Sequence, residues 1–253
     1  MKVHFLISGT SKSCEVLLKL KHIDNVPAEE ADVFVVFGGD GFMLKMMRQY
    51  QHYKKPFYGI NAGNVGFLMN DPNTIDAHNF FDMLSVSCCS VLPVLEFELT
   101  KTDHTVIRDY AINEISFMRQ TAMASKISVY VKNEERIICR GDGLLLSTPA
   151  GSTAYNASAG GPIIPLGFDL VVLTPLSVYE PRNWRGAILP DHDEFEFVVH
   201  DAQTRKVQVT FDNNMIQDIH SAKVKIDKKN TFRLLFNPDT CLDDRIINEQ
   251  FNP

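Results

Sequence analysis

The sequence RGDGLLLSTPAGSTAYNASAGGPII, from Arg140 to Ile164, is the most distinctive pattern in this chain. Its apolar triplet Leu144–Leu146 predicts a short buried strand. Small hydroxyl and glycine residues follow, and these let backbone amides and hydroxyl groups approach a polar ligand closely. A flexible Gly/Ser linker is the simpler alternative. A linker, however, would not carry Tyr155 and the run Pro162–Ile164 directly behind a buried strand. We therefore interpret the whole run as a ligand-binding loop.

Length and composition are those of an ordinary folded protein. The chain has 253 residues, 45% of them hydrophobic, which suits one large domain or two modest ones. Its formal net charge of −6 argues against nucleic acid as a partner, because nucleic-acid binding favours basic surfaces. No apolar run approaches the roughly 20 residues of a membrane span, and Met1–Phe5 shows no signal-peptide pattern. We expect a cytoplasmic protein that binds no membrane but can hold a small anionic ligand.

The cysteine pattern predicts neither disulfides nor a metal site. The number of cysteines is odd, and the sequence contains no CxxC and no HExxH motif. Adjacent Cys88 and Cys89 have the chemistry to bind a metal, but no cluster of His or Cys accompanies them. We therefore expect free thiols in a reducing compartment, at Cys14, Cys88, Cys89, Cys139 and Cys241.

Residues 1–95 alternate between strand and helix patterns, which is typical of an α/β domain with a parallel sheet. The segment Val33–Phe37 is continuously apolar, as expected of a strand buried on both faces. The predicted strands are 3–7, 33–37 and 57–60, and the predicted helices are 13–22, 42–50 and 74–86.

Residues 96–236 contain short β-branched and aromatic runs separated by turn residues, which predicts an all-β domain. One predicted turn is Asp227–Asn230, and another predicted strand runs without a break over 106–117. The tail, 237–253, carries a pattern for a short helix over 243–251.

A glycine turn, Gly38-Gly39-Asp40-Gly41, lies between a predicted buried strand and a helix. Such a turn offers backbone amides and a helix N-terminus to an anion. It is neither a Walker A loop nor a GxGxxG motif, and a plain structural turn is the alternative. A carboxylate in a phosphate-binding turn is repelled by the ligand unless it acts as a base or helps bind a metal. Asp40 therefore favours phosphoryl transfer, in which Mg²⁺ bridges the donor phosphates.

The pair Asn113-Glu114 lies in an apolar context. A buried amide and carboxylate there need hydrogen-bond partners. One interpretation is a strand-end pair capped by the backbone. The other is nucleoside binding, in which the amide pairs with an adenine edge and the carboxylate accepts from ribose hydroxyls.

These motifs, in this order and spacing, resemble those of the NAD kinases, and the resemblance covers residues 33–236. The glycine turn alone is shared with diacylglycerol and sphingosine kinases, whereas the run 140–164 is far more specific. The resemblance implies a Rossmann-like α/β N-terminal domain, an all-β C-terminal domain, and a homodimer or homotetramer. It also implies that the γ-phosphate of ATP is transferred, with a divalent metal such as Mg²⁺, to the 2′-hydroxyl of the adenosine ribose of NAD, giving NADP and ADP. The sequence leaves open whether polyphosphate replaces ATP.

The same resemblance implies roles for individual residues. Asp40 would be the catalytic base or orienting group for the 2′-hydroxyl of NAD, and Asn113 and Glu114 would hold the adenosine of NAD. Phosphate or ATP binding would fall to Gly38, Gly39, Gly41 and Lys45. The remaining NAD-binding residues would be Gly41, Phe67, Arg140, Asp142, Thr153, Ala154, Tyr155, Asn156, Ser158, Ser177 and Asn213, with Phe67 on the adenine.

Two features depart from the family pattern. Phe42 follows the glycine turn where many members have a small or hydroxyl residue, and 177–184 has no clear counterpart. A lipid kinase is the alternative enzyme, although the chain lacks an amphipathic membrane-facing stretch. A non-catalytic dinucleotide sensor is the other alternative, although a sensor gains nothing from Asp40.

Overall fold

A computed structural model describes residues 1–63 and 66–251 of the chain. The chain divides into two compact units. The first unit comprises Met1–Leu92 together with Thr231–Phe251, and the second comprises Pro93–Asn230. Within the described residues, no helix is both long and apolar enough to cross a membrane.

The helices are few and short. The α-helices are α1 (Ser11–Leu18), α2 (Asp40–Tyr50), α3 (Phe80–Ser85), α4 (Tyr155–Ser158) and α5 (Leu242–Glu249). Single 3₁₀ turns occur at Gln51–Tyr53, Pro72–Thr74, Ala150–Thr153 and Pro238–Thr240.

Strands make up much more of the chain. They are β1 (Val3–Ile7), β2 (Val33–Gly38), β3 (Phe57–Asn61), β4 (Cys88–Lys101), β5 (Val106–Ala111), β6 (Glu114–Arg119), β7 (Ser125–Val131), β8 (Glu134–Gly141), β9 (Gly143–Ser147), β10 (Leu170–Leu176), β11 (Ala187–Pro190), β12 (Phe195–Val199), β13 (Val207–Phe211), β14 (Asn214–Ile216) and β15 (Ile219–Phe236).

The first unit is an α/β domain, as predicted. β1, β2 and β3 are parallel neighbours, and the end of β15 adds to β3 in parallel. β2 is buried along its whole length, as its continuous apolar sequence requires. Its Val35 and Phe37 pack in one core with Tyr58, Ile60 and Phe80.

The second unit is mostly β, as predicted. β12 pairs antiparallel with β7 and with β15, and β7 pairs with β8. A separate antiparallel sheet has the strand order β11-β10-β9-β6-β13-β14. The ring of Phe117 from this sheet stacks on Phe197 of β12, with ring centroids 4.3 Å apart. The core between the two sheets therefore contains alternate side chains of both.

Several predicted bounds were wrong. α2 begins at Asp40 instead of Phe42. α3 is only six residues long, and residues 72–74 form a separate 3₁₀ turn capped by Asp71. The predicted strand 106–117 is two strands, because the amides of Ile112 and Asn113 donate to the Asp212 carboxylate. The short strands β11 and β14 were not predicted.

The predicted turn at Asp227–Asn230 is also wrong, since these residues lie inside the 18-residue strand β15. β15 pairs with β12 near Val224 and with β3 at Leu234. Ladder pairing on both sides of the polar segment outweighs its turn propensity. The chain thus returns to the first unit at Thr231, and the structural boundaries differ from the predicted 96–236 domain and separate tail.

The expectation that all five cysteines are free thiols was wrong as well. Cys88, at the start of β4, forms a disulfide with Cys241, the residue before α5, and their Cα atoms are 6.1 Å apart. A sequence separation of 153 residues hides this pair from any local motif. Cys14 and Cys89 are exposed free thiols, and Cys139 is buried.

We expect the five cysteines to fall into three classes of reactivity toward iodoacetamide. Cys14 and Cys89 should be alkylated at once because they are exposed. Cys139 should react slowly, because burial raises the pKa of its thiol to about 12 and the thiolate is the nucleophile. Cys88 and Cys241 should react only after reduction. Peptide mass spectrometry before and after adding a reductant tests this, and alkylated Cys241 without reductant would contradict the disulfide.

Candidate active site

The glycine turn connects β2 to α2. Gly38 ends the strand, Gly39 is the N-cap of the helix, and Asp40 is the first helical residue. The carbonyl of Gly39 accepts from the amides of Phe42 and Met43. The first turn of an 11-residue helix therefore faces the end of a buried strand, which is a suitable place for an anion. Lys45, one turn further along, is exposed.

Two backbone amides hold the Asp40 carboxylate. Phe67 N–H donates to Oδ2 and Leu68 N–H donates to Oδ1, each at 2.9 Å. Burial raises the pKa of Asp40, and the two amides and the charge of Arg245 oppose that rise. A fixed carboxylate with a raised pKa has the properties of a general base. The predicted turn that carries Phe67 also includes Asn64 and Val65, which lie outside the described residues.

Arg245 of α5 is a residue that sequence reasoning missed. Its guanidinium donates to the carbonyls of Gly66, Phe67 and Met69, the segment that holds Asp40. No local motif marks it, because 176 to 179 residues of chain separate it from these partners.

The backbone around Asn113 is tightly fixed. Its carbonyl accepts from the amide and hydroxyl of Thr148, at 2.9 and 3.0 Å. Gly151 approaches so closely that a Cβ there would lie 2.2 Å from the Asn113 oxygen, so only glycine fits. The start of the small-residue loop is thus packed directly against the Asn113-Glu114 pair.

The side chains of this pair contain buried polar atoms without partners. Among residues 1–63 and 66–251, neither Glu114 Oε2 nor Asn113 Oδ1 has a hydrogen-bond partner. Burial raises the pKa of Glu114 to about 8, and the negative charge of Asp212 adds to the effect. Buried polar atoms are nearly always satisfied in native proteins. These two atoms therefore point to a polar ligand, and hydroxyl or amine groups would satisfy both.

Four predicted residues line one cleft of about 300 Å³ in the second unit. Tyr155, at the start of α4, is 37% exposed. Asp142 is held by Arg119 Nε, 2.6 Å from its Oδ1. Met118, Pro175 and Leu176 carry no motif and were not predicted, whereas Ala159 belongs to the run 140–164. The lining is Met118, Asp142, Tyr155, Ser158, Ala159, Pro175, Leu176 and Ser177. A second groove, of about 350 Å³ beside Glu96 and Arg108, includes none of the predicted residues.

Other predicted residues are engaged elsewhere. Arg140 forms an ion pair with Glu180 at 2.7 Å. Asn156 is buried, and its amide donates to the carbonyls of Ser152 and Pro162 and accepts from the hydroxyl of Thr174. Thr153 and Ala154 join the 3₁₀ turn to α4, and Asn213 is exposed between β13 and β14.

Comparison with known families follows the same division of the chain. Residues 9–85 match the ATP-NAD kinase N-terminal domain, and residues 112–230 match the ATP-NAD kinase C-terminal domain. The chain belongs to the NAD kinase family. An NAD kinase from Hyphomonas neptunium is 40% identical over 255 residues, covering 99% of this chain and 98% of that protein. An NAD kinase from Rickettsia prowazekii is 37% identical over 252 residues, with the same coverage.

Solved structures support the NAD kinase fold. Yeast NADH kinase complexed with NADH has a TM-score of 0.83 at 20% identity, and the match covers 100% of this chain and 88% of that one. An NAD kinase from Archaeoglobus fulgidus in complex with ATP has a TM-score of 0.76 at 20% identity, and both chains are covered completely.

Proposed function

We propose that this NAD kinase uses Asp40 as the base that accepts the proton of the 2′-hydroxyl on the adenosine ribose of NAD. The hydroxyl oxygen then bonds to the γ-phosphorus of ATP, the bond from that phosphorus to the β–γ bridging oxygen breaks, and NADP and ADP result. The observation that carries this role is the Asp40 carboxylate, fixed by two amides at the N-terminus of α2. A positioned base of this kind contributes roughly 10²- to 10⁴-fold to a rate.

The adenosine half of NAD is the ligand that we assign to Asn113 and Glu114. Adenosine supplies an exocyclic amine and ribose hydroxyls, which match a buried amide oxygen and a buried carboxylate oxygen without partners. Phe67, partly buried beside the turn that holds Asp40, offers an aromatic face to the adenine.

We assign the other nucleotide half of NAD to the cleft lined by Asp142, Tyr155, Ser158 and Ser177. Tyr155 offers a ring to a base, and Asp142 and the serines offer acceptors and hydroxyls to the sugar and phosphates. We also assign Thr153, Ala154 and Asn213 to NAD binding, as the family resemblance implies. Arg140 and Asn156 stay in the same assignment to NAD, although Arg140 also pairs with Glu180 and Asn156 with Thr174.

The donor phosphates belong, in our proposal, at Gly38, Gly39 and Gly41, with Lys45 adding positive charge. Among the described residues, no group of three or more His, Cys, Asp or Glu side chains is arranged to hold a metal ion. Mg²⁺ needs only one or two protein carboxylates when substrate phosphates and water supply its other ligands. We therefore propose that Mg²⁺ enters as part of the ATP complex. We further propose cytoplasmic action, where ATP and NAD are available, and assembly as a homodimer or homotetramer.

A direct assay tests this function. The purified protein is incubated with radiolabelled ATP and Mg²⁺ and either NAD or diacylglycerol vesicles, with polyphosphate as an alternative donor. We expect label in NADP and none in lipid. Transfer to lipid alone, or NAD binding without NADP formation, would overturn the proposal. The family matches already give no support to a lipid kinase or a sensor.

Tyr155→Ala should weaken NAD binding by about 1–2 kcal/mol, because stacking area is lost from the cleft. Isothermal titration calorimetry measures the change. Phe168→Ala, which removes another exposed aromatic residue of the second unit, is the matched control and should bind NAD normally. Unaltered affinity in the Tyr155 variant would exclude Tyr155 from the NAD site.

A further inference from the structure

Arg245 lies on α5 with its guanidinium partly buried against the segment 66–69. Nη1 donates to the carbonyls of Gly66, Phe67 and Met69 at 3.2, 3.1 and 2.5 Å. Nε donates to the carbonyl of Thr240 at 3.0 Å. The Arg245 side chain thus donates four hydrogen bonds to backbone carbonyls, which is more than a solvent-exposed surface charge would make.

The same two peptide groups that Arg245 binds also bind Asp40. The Gly66–Phe67 peptide accepts from Arg245 through its carbonyl and donates to Asp40 Oδ2 through its N–H. The Phe67–Leu68 peptide accepts from Arg245 and donates to Asp40 Oδ1 in the same way. Hydrogen bonds arranged in series polarise one another. The guanidinium therefore both orients and strengthens the two amides that fix the carboxylate.

The guanidinium is itself anchored from several directions. It lies over the ring of Phe236, 5.1 Å from the centroid. Leu242 and Ile246 of the same helix are fully buried. The Cys88–Cys241 disulfide immediately precedes the helix. Arg245 is thus a fixed group and not a mobile surface charge.

We propose that Arg245 is a positioning residue for catalysis, which holds the segment 66–69 so that its amides fix Asp40 in the orientation that accepts the proton. This inference rests on the proposed role of Asp40. The charges agree with this arrangement. Burial raises the pKa of Asp40, and the two amides and then the charge of Arg245 lower it. Burial lowers the pKa of Arg245, and the charges of Asp40 and then Asp71 raise it.

Arg245→Met removes the charge and all four bonds while keeping a side chain of similar length. We expect kcat for NADP formation to fall roughly tenfold, because a misplaced catalytic group costs rate without costing substrate affinity. The KM for NAD and for ATP should stay within about twofold. Arg245→Lys keeps the charge but reaches fewer carbonyls, so its kcat should fall only about threefold. Arg233→Met loses one hydrogen bond, to the Lys54 carbonyl in the same unit, and its kcat should match that of the wild type.

Two further measurements separate positioning from simple stabilisation. In an Asp40→Asn background, the Arg245 substitutions should cause no further loss of kcat, because Arg245 acts on kcat only through the Asp40 carboxylate, which that variant lacks. The acidic limb of the kcat–pH profile should move to higher pH in Arg245→Met. If Arg245→Met does not fold, both measurements are made on Arg245→Lys.

The outcomes distinguish this inference from the role of Asp40. A folded Arg245 variant with unchanged kcat overturns the inference. The inference is also overturned if the Arg245 substitutions lower kcat by the same factor in the Asp40→Asn background as in the wild type. Wild-type turnover by Asp40→Asn alone would instead remove Asp40 from catalysis, and the inference about Arg245 would fall with it.

Discussion

Asp40→Asn should lower kcat for NADP formation by about 10²-fold or more, the scale of a lost general base. The asparagine side chain is nearly the same size but cannot take up the proton of the 2′-hydroxyl. It also presents an NH₂ group to one of the two amides of Phe67 and Leu68, so one of these hydrogen bonds is lost. NAD should still bind, because Asn113, Glu114 and the cleft beside Tyr155 are unchanged. Steady-state kinetics give kcat, and calorimetry gives the NAD affinity.

Asp76→Asn is a close control for this experiment. Asp76 lies in the same unit, and its carboxylate also accepts from two backbone amides, those of His78 and Asn79. It is exposed and outside the proposed site, so this variant should turn over NAD at the wild-type rate. Full activity in Asp40→Asn would remove Asp40 from the catalytic role. Equal losses in both variants would point to a structural effect of replacing a capping carboxylate.

Local pattern was sufficient wherever a feature is built from neighbouring residues. The apolar run at Val33 predicted β2, and the glycines that follow predicted the start of α2 to within two residues. Asp142, Tyr155, Ser158 and Ser177 were predicted from the family resemblance, and the fold brings them to one cleft. For β2 and α2 the information lies in burial and backbone freedom over a short stretch, and for the cleft residues it lies in the family resemblance.

The Asn113-Glu114 pair shows where local pattern leaves alternatives open. Two interpretations were possible, a pair capped by the backbone and a pair that binds a nucleoside. Asp212 and Thr148 satisfy the backbone of Asn113, which is not the predicted capping of the two side chains. The structure leaves side-chain oxygens of Asn113 and Glu114 buried without partners in the described part of the chain. Because the backbone does not cap these two oxygens, the structure favours nucleoside binding over the capped pair.

Features that depend on distant partners could not be predicted. The polar residues Asp227–Asn230 have turn propensity, yet ladder bonds to β12 and β3 keep β15 extended. That extension returns the chain to the first unit, and only then do Cys241 and Arg245 meet Cys88 and the segment 66–69. Strand pairing thus explains why the predicted turn was wrong, and long sequence separations explain the missed disulfide and the missed arginine.

Glu114 gives the second large effect, because its burial couples folding to pH. Its pKa is about 8 in the folded protein, raised first by burial and then by Asp212, against about 4.3 for an unperturbed glutamate. The folded chain thus retains a proton that the unfolded chain has lost between these two values. Stability from this group is fully present below pH 4 and is lost as the pH rises through about 8.

Glu114→Gln should abolish this dependence, since glutamine has the same shape and does not titrate. Between pH 5 and pH 8 the variant should gain about 3 kcal/mol in free energy of unfolding relative to the wild type. Urea titrations at both pH values measure the difference. Glu96→Gln, an exposed strand residue of the same unit, should show the wild-type dependence. Parallel pH curves for Glu114→Gln and the wild type would show that Glu114 is ionised in the folded protein.

NAD binding should also affect the ionisation of Glu114. A ligand that favours the charged carboxylate lowers its pKa. If Glu114 ionises when it accepts ribose hydroxyls, NAD binding at pH 7 should release a proton in the wild type and none in Glu114→Gln.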